Sequence, residues 1–282
     1  MGLHHHMLAL FYPVIIFFNF FFNKKPNELR VLLYHDIPKN KYDKFYNQLV
    51  FLKKSWNFIS PSEFSDIMNK KKKLNGRNLL LTFDDGYISN KYVVEKILNP
   101  LRIKAMFFVI TDFIKISDSK TAREYVSSNI YPTLKFKDVP KSNYNMNWGH
   151  LKELIKHGHS IGAHTKTHAK LSEIKTNKNL INEIVKSANE IEEKLQIKLN
   201  YFAFPFGNVE SFSKEALLVA NKRFDFIFSG IRGDNKNSTT KLVLHRDSID
   251  PTFSNFLVGS FLEGSADLYY STPQNILDSW TN

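Results

Sequence analysis

The sequence predicts a parallel α/β fold closed into a (β/α) barrel and forming a single domain. Three observations carry this. Short apolar runs alternate with helical stripes from Leu29 to the neighbourhood of residue 250, the pattern of repeated strand–helix units. A chain of 282 residues can bury roughly three quarters of its unfolded surface, and a barrel is the natural closed form of such repeats near this length. The apolar runs also end, one after another, in titratable side chains, as strands do at the C-terminal mouth of a barrel. There is no internal repeat and no sign of a second domain.

The elements follow in order. Leu29 to Tyr34 is a short apolar run and reads as a strand. Lys44 to Lys54 carries Phe45, Leu49, Phe51 and Leu52 at helical spacing. Ser60-Pro61-Ser62-Glu63 is a capping box with proline at the first helical position, so a helix starts there. Leu79 to Phe83 reads as a strand, Asn90 to Leu98 as a helix and Ala105 to Ile110 as a strand. Thr111 to Asn147 shows no clear periodicity and reads as an insertion. Trp148 to Lys156 is a helix stopped near Gly158, and Ser160 to Ala163 is a short strand. Leu180, Ile184, Ala188, Ile191 and Leu195 mark a helical stripe. Leu199 to Phe204 is a strand, Ser213 to Asn221 a helix and Asp225 to Phe228 another strand, with Leu242 to Leu244 as a candidate for the last.

Composition narrows the chemistry. Hydrophobic residues make up 43% and aromatic residues 14% of the chain, which suits a packed globular core. The chain has no cysteine, which excludes thiolate metal sites, disulfides and a cysteine nucleophile. The formal charge of +12, partly concentrated in Lys70-Lys71-Lys72-Lys73, reads as a solvated surface. Without zinc-finger spacing or another nucleic-acid motif, no nucleic-acid partner is expected.

Residues 1–25 form a hydrophobic N-terminal segment ahead of the domain at 26–282. Met7 to Phe22 is nearly all apolar but interrupted by Pro13 and Asn19, and it falls short of the roughly 20 residues of a spanning helix. The positive n-region of a signal peptide is missing. The expectation is a membrane anchor or interfacial segment over residues 7–22, making the protein membrane-associated or exported. The alternative is a helix packed on the domain. Lys24 and Lys25 follow the run and would favour a cytoplasmic domain under the positive-inside rule, so the side of the membrane stays open.

The chemistry lies at the strand ends. His35 and Asp36 follow the first strand, and Asp84 and Asp85 follow Leu79 to Phe83. His164 follows Ser160 to Ala163, with His168 four residues on, and Pro205-Phe206-Gly207 follows Leu199 to Phe204. Two adjacent acids repel each other and need a cation or a shared proton to coexist. Two histidines plus a carboxylate is the expected ligand set of a catalytic divalent site. Threonine, not glutamate, follows His164, so this is not the metalloprotease helix. One acid of the pair therefore binds the ion and the other acts as a base.

Thr82-Phe83-Asp84-Asp85-Gly86, His164-Thr165-Lys166-Thr167-His168 and Phe202-Ala203-Phe204-Pro205-Phe206-Gly207 resemble, in order and spacing, the first three motifs of the polysaccharide deacetylases. This is the NodB-homology domain of carbohydrate esterase family 4. The resemblance implies an irregular (β/α) barrel and a metal-dependent hydrolase that removes N-acetyl groups from amino sugars of a polysaccharide or glycan. It implies that Asp85, His164 and His168 bind one divalent ion, usually zinc, and that Asp84 is the general base. The backbone N–H of Phe206, after Pro205, would hold the oxyanion. Val31 to Asp36 is similar to a circularly permuted subgroup that includes poly-N-acetylglucosamine deacetylases, in which His35 would be the general acid. His245 is the rival acid, with a packed strand-end role as the alternative. Tyr87, Tyr144 and Trp148 are candidates to stack on sugar rings, against ordinary core packing.

One position departs from the pattern. Many members of the family carry an arginine two residues before the third-motif proline, where this chain has Ala203. Arg232 or Arg246 would have to replace it. Two other functions stay open at this point. One is a deacetylase or deformylase of a small or lipid-linked sugar; the other is a carbohydrate-binding protein with a vestigial site.

Overall fold

The computed structural model describes residues 27–236 and 243–281. The apolar segment at residues 7–22 lies outside them. No helix among the described residues is long and apolar enough to cross a membrane.

Eight parallel strands form one sheet: β1 (Asn27–Tyr34), β2 (Asn57–Phe58), β3 (Gly76–Phe83), β4 (Ala105–Val109), β5 (Ser160–Ala163), β6 (Tyr201–Ala203), β7 (Phe226–Phe228) and β8 (Asp247–Ser248). The spatial order is β7-β6-β5-β4-β3-β1-β8, with β2 beside β3. One edge of β3 serves two neighbours. Asn78 and Leu79 pair with β2, and Leu81 to Phe83 pair with β4.

The sheet curls until its ends meet. Leu244 bridges Phe228 of β7, and three residues later Asp247 and Ser248 pair with Leu32 and Leu33 of β1. One short segment thus joins the two end strands and gives the irregular barrel. The sequence reading placed a last strand at Leu242 to Leu244. Of this only the Leu244 bridge is seen; Leu242 lies outside the described residues, and the regular pairing comes later, at Asp247.

Alternation along the strands sorts side chains between two apolar layers. Leu79, Leu81 and Phe83 of β3 face the surrounding helices with Phe107 of β4. Leu80, Met106, Phe108, Ala203, Phe226 and Phe228 belong to the separate interior cluster. Phe64 and Ile67 of the helix Pro61–Met68 join that interior, so this helix plugs the end where β1 begins. Its start is the expected capping box: Ser60 accepts from the Glu63 N–H, and Glu63 accepts from the Ser60 N–H. Gly162 is required inside, because a Cβ there would lie 2.5 Å from the Phe108 ring.

The stretch read as an insertion without clear periodicity contains short helices. Its helices Thr111–Ile114 and Ser119–Tyr125 build a small core of their own from Ile110, Phe113, Ala122, Val126, Ile130 and Val139. They are too short to show a period in sequence. Beyond residue 250 the chain adds helices Asn255–Leu262 and Ser271–Thr281.

Candidate active site

Asp84 and Asp85 leave β3 in opposite ways. Asp84 is fully buried and receives both nitrogens of one guanidinium, Arg246 Nη1 to Oδ1 at 2.7 Å and Nη2 to Oδ2 at 2.8 Å. Asp85 adopts a left-handed backbone, φ 73°, which turns its carboxylate away from that partner. Neither Asp85 oxygen has a hydrogen-bond partner, although both are buried. A buried carboxylate without a donor is costly, so Asp85 is built for a ligand supplied from outside the chain.

Two imidazoles face it. His164 Nε2 and His168 Nε2 each lie 3.6 Å from Asp85 Oδ1. Their other nitrogens are tied down: His164 Nδ1 donates to the Ala203 carbonyl at 2.8 Å, and His168 Nδ1 donates to the Asn129 carbonyl at 3.0 Å. That fixes the tautomer and leaves both Nε2 lone pairs pointing at Asp85, the usual arrangement of ligating histidines. Burial lowers His164 to about 4, against the pull of Asp84, and lowers His168 to about 3. Both rings are therefore neutral at physiological pH, as metal ligands must be. Burial and the charge of Asp84 push Asp85 well above the usual carboxylate range; a cation would reverse that. These atoms all lie within 4.8 Å of one another. The donor set of one carboxylate and two imidazoles fits a divalent ion.

For Asp84, burial alone would raise the pKa. The Arg246 charge and hydrogen bonds override it and hold the carboxyl below its ordinary value. Asp84 is therefore ionised across the neutral range, with Oδ2 3.8 Å from His164 Nε2.

The His164–His168 segment is a turn rather than a helix. Thr165 and His168 both take left-handed backbones, φ 64° and 65°, and Thr165 Oγ1 accepts from the His168 N–H at 3.0 Å. Glu183 caps the turn from below, accepting from the N–H groups of Lys166 and Thr167. Phe206 is also left-handed, φ 61°. Left-handed backbone costs a non-glycine residue of order 1–3 kcal/mol, and its recurrence around one carboxylate marks a functional constellation. Gly207 follows because a Cβ there would lie 2.4 Å from the Gly230 nitrogen. Pro205 is buried and shapes this turn, its carbonyl accepting from the Gly207 N–H at 2.6 Å. The Phe206 ring is 47% exposed and packs 4.6 Å from the His168 ring. Its N–H takes no partner among the described residues.

The missing third-motif arginine is replaced by Arg246, which sits on the segment that closes the barrel. Its guanidinium lies 5.2 Å over the Phe108 ring, in the interior layer that also holds Ala203. Arg232 is engaged elsewhere, with Asp247, the Ser248 carbonyl and the Phe261 ring. His35 follows β1 at the same mouth. Burial lowers its pKa, while Asp84 acts in the opposite sense. His245 instead packs beside Gly233, where a Cβ would come within 2.9 Å of its ring, and its backbone is clamped by Asn235.

One sequence expectation is corrected. Tyr87 is fully buried in the small core of residues 110–139, its ring 5.8 Å from Phe113, and offers no face to a sugar. The other two aromatic candidates, Tyr144 and Trp148, line a hollow of about 980 Å³ with Ile116, Glu190 and Lys194. The sequence reading also passed over Asn129, whose carbonyl orients His168 from inside the supposed insertion.

A family profile described as polysaccharide deacetylase matches residues 71–223, more than half of the chain. The chain belongs to the polysaccharide deacetylase family. The deacetylase is similar to YxkH of Bacillus subtilis (strain 168), itself provisionally named a polysaccharide deacetylase, at 23% identity over 85% of this chain and 78% of that protein. Its fold matches Streptococcus pyogenes deacetylase PplD in complex with acetate, with a TM-score of 0.65 at 20% identity, covering 84% of this chain and 99% of that one. It also matches IcaB from Ammonifex degensii, with a TM-score of 0.65 at 20% identity over 84% and 97% of the two chains. Membership makes this deacetylase a hydrolase that acts on polysaccharide.

Proposed function

We propose that the protein is a metal-dependent N-deacetylase of N-acetylated amino-sugar polymers. The observation that carries this is Asp85, a buried carboxylate with no donor, faced by two imidazoles of fixed tautomer beside an acid already paired with Arg246.

Asp85, His164 and His168 would hold one divalent ion, with zinc suited to the donor set. When bound, such an ion supplies Lewis acidity and lowers the pKa of water. Asp84 is the general base: its carboxylate is ionised and close to His164, and it takes the proton of the attacking water. Arg246 keeps that carboxylate oriented and charged. The Phe206 N–H donates to the oxyanion that forms as the acetamide carbonyl becomes tetrahedral. His35 gives a proton to the departing nitrogen, because an amine anion cannot leave. Water and amide become acetate and a free amine, and no other reactant is consumed.

The test is acetate release from β-linked N-acetylglucosamine oligomers with and without a strong chelator. Chelation followed by dialysis should abolish release, and one added divalent ion per chain should restore it. Asp84→Asn should keep the metal and lose turnover, whereas Asp85→Asn should weaken metal affinity itself. Full activity in the metal-free protein would refute the metal-dependent reading. The reverse pattern for the two acids would exchange their roles.

A further inference from the structure

The turn that carries His164 and His168 contains two left-handed residues, a backbone that persists only where its surroundings enforce it. Its polar groups show what enforces it. On one side the helix Thr111–Ile114 supplies donors: the Thr111 N–H reaches the Thr165 carbonyl at 3.3 Å, and the Asp112 N–H reaches the Lys166 carbonyl at 2.9 Å. Asn129 Nδ2 donates to the Thr167 carbonyl at 3.3 Å. The His168 N–H is met inside the turn by Thr165 Oγ1. That leaves the successive N–H groups of Lys166 and Thr167, which converge on one point, the kind of concavity that takes an anion. Glu183 fills it. Its Oε2 accepts from the Lys166 N–H at 3.1 Å and from the Thr167 N–H at 2.9 Å, and its Oε1 accepts from the Thr167 hydroxyl at 3.0 Å.

We infer that Glu183 is a positioning residue for the candidate metal centre: it holds the His164–His168 turn in its ligating conformation and so sets how tightly the ion is bound. The inference rests on the metal-dependent reading of the main site. Glu183 is not itself a ligand. The cluster of ligand-type atoms comprises Asp85, His164 and His168, and the three hydrogen bonds of the Glu183 carboxylate go to the turn. Glu183 is buried and stands in the helical stretch 177–195. Leu180, Ile184, Ala188 and Ile191 of that stretch pack into the main core, so a rigid element presents the carboxylate. The two left-handed residues, Thr165 and His168, flank the pair of amides that it binds. His168 is both left-handed and a ligand, so any relaxation of the turn moves a ligand directly. Without Glu183 the amides of Lys166 and Thr167, residues only half-buried, would turn to water. The His168 ring would then be held only through Nδ1 and the Asn129 carbonyl. His164 keeps its own anchor at the Ala203 carbonyl, so the loss weakens the centre without abolishing it.

The experiment measures the zinc affinity of the full chain, stripped of metal, by competition with a chromophoric chelator, which needs no substrate. Glu183→Ala should bind zinc about tenfold more weakly than the parent, the lower end of the loss that follows removal of an outer partner of metal ligands. Glu183→Gln keeps an acceptor for the two amides and an NH₂ for Thr167 Oγ1, and should stay within about threefold of the parent. Parent-like affinity in Glu183→Ala overturns the inference. So does a glutamine variant as weak as the alanine one, because charge rather than the hold on the turn would then be at work. If thermal melting shows that Glu183→Ala does not fold, Glu183→Asp takes its place and is judged in the same way, since it keeps the charge but withdraws the carboxylate by one methylene. Amide exchange in the metal-free protein separates this inference from the metal reading. Lys166 and Thr167 should exchange slowly in the parent and much faster in the alanine variant. If the parent binds no zinc, the metal reading has failed; faster exchange at these two amides then still supports Glu183 as the holder of the turn, and unchanged exchange overturns it.

Discussion

Arg246 does for Asp84 what no residue near it in sequence does. The pair spans 162 positions, so nothing local in the chain announces it, whereas Asp84, Asp85, His164 and His168 are legible because each follows an apolar run. Replacing Arg246 by alanine leaves Asp84 buried without a counter-charge, and removing one partner of a buried pair typically costs about 3–5 kcal/mol. Arg246→Lys is the sharper probe. Lysine keeps the charge but cannot bind both oxygens, so Asp84 should titrate at a higher pH. The acid limb of the pH–rate profile should shift upward, with the metal content unchanged. For the proposed proton donor, His35→Ala should lose about 10² to 10⁴ in kcat, while His245→Ala should lose far less because its ring packs beside Gly233. A larger loss from His245→Ala would make that residue the acid.

At the scale of elements, six of the eight strands, and the longer helices up to Asn221, are legible from period and capping. What escaped was held by contacts rather than pattern. The helices between residues 111 and 130 have too few turns to show a stripe, and β8 has two residues. The strand-entry histidine gives a test of one element pair. His159 Nδ1 accepts from the Ala105 N–H at 3.1 Å, linking the start of β5 to the start of β4. Burial holds its pKa at about 3, so the folded protein keeps it neutral, while the unfolded chain protonates it near 6.5. The unfolded state thus binds the extra proton between those values, and stability falls as pH drops below about 6.5. The slope from one such group approaches about 1.4 kcal/mol per pH unit. Urea midpoints between pH 7.5 and 5 should fall less steeply for His159→Gln than for the parent. Equal slopes would mean that the ring is already protonated or solvated in the fold.

In the whole molecule the barrel depends on its last forty or so residues. Arg30 of β1 binds Asp247, Asp267 and the Phe261 carbonyl together, which fastens β8 and the helix Asn255–Leu262 to the first strand. Cutting the chain before Asn255 removes two of those partners together with Leu257, Phe261 and Leu262, all buried in the intact protein, and uncovers the core they pack into. The truncated protein should be soluble only in part and should melt well below the parent; an unchanged melting temperature would show the C-terminal helices to be dispensable. The guanidinium that holds Asp84 rides on this same closing segment, between Leu244 and Asp247, so an activity that depends on Asp84 reports on a seam. A molecule whose C-terminus has frayed would keep most of its sheet and still be silent. On slow heating, turnover should therefore disappear at a lower temperature than far-ultraviolet ellipticity, and amide exchange near residues 244 to 248 should quicken across the interval between the two.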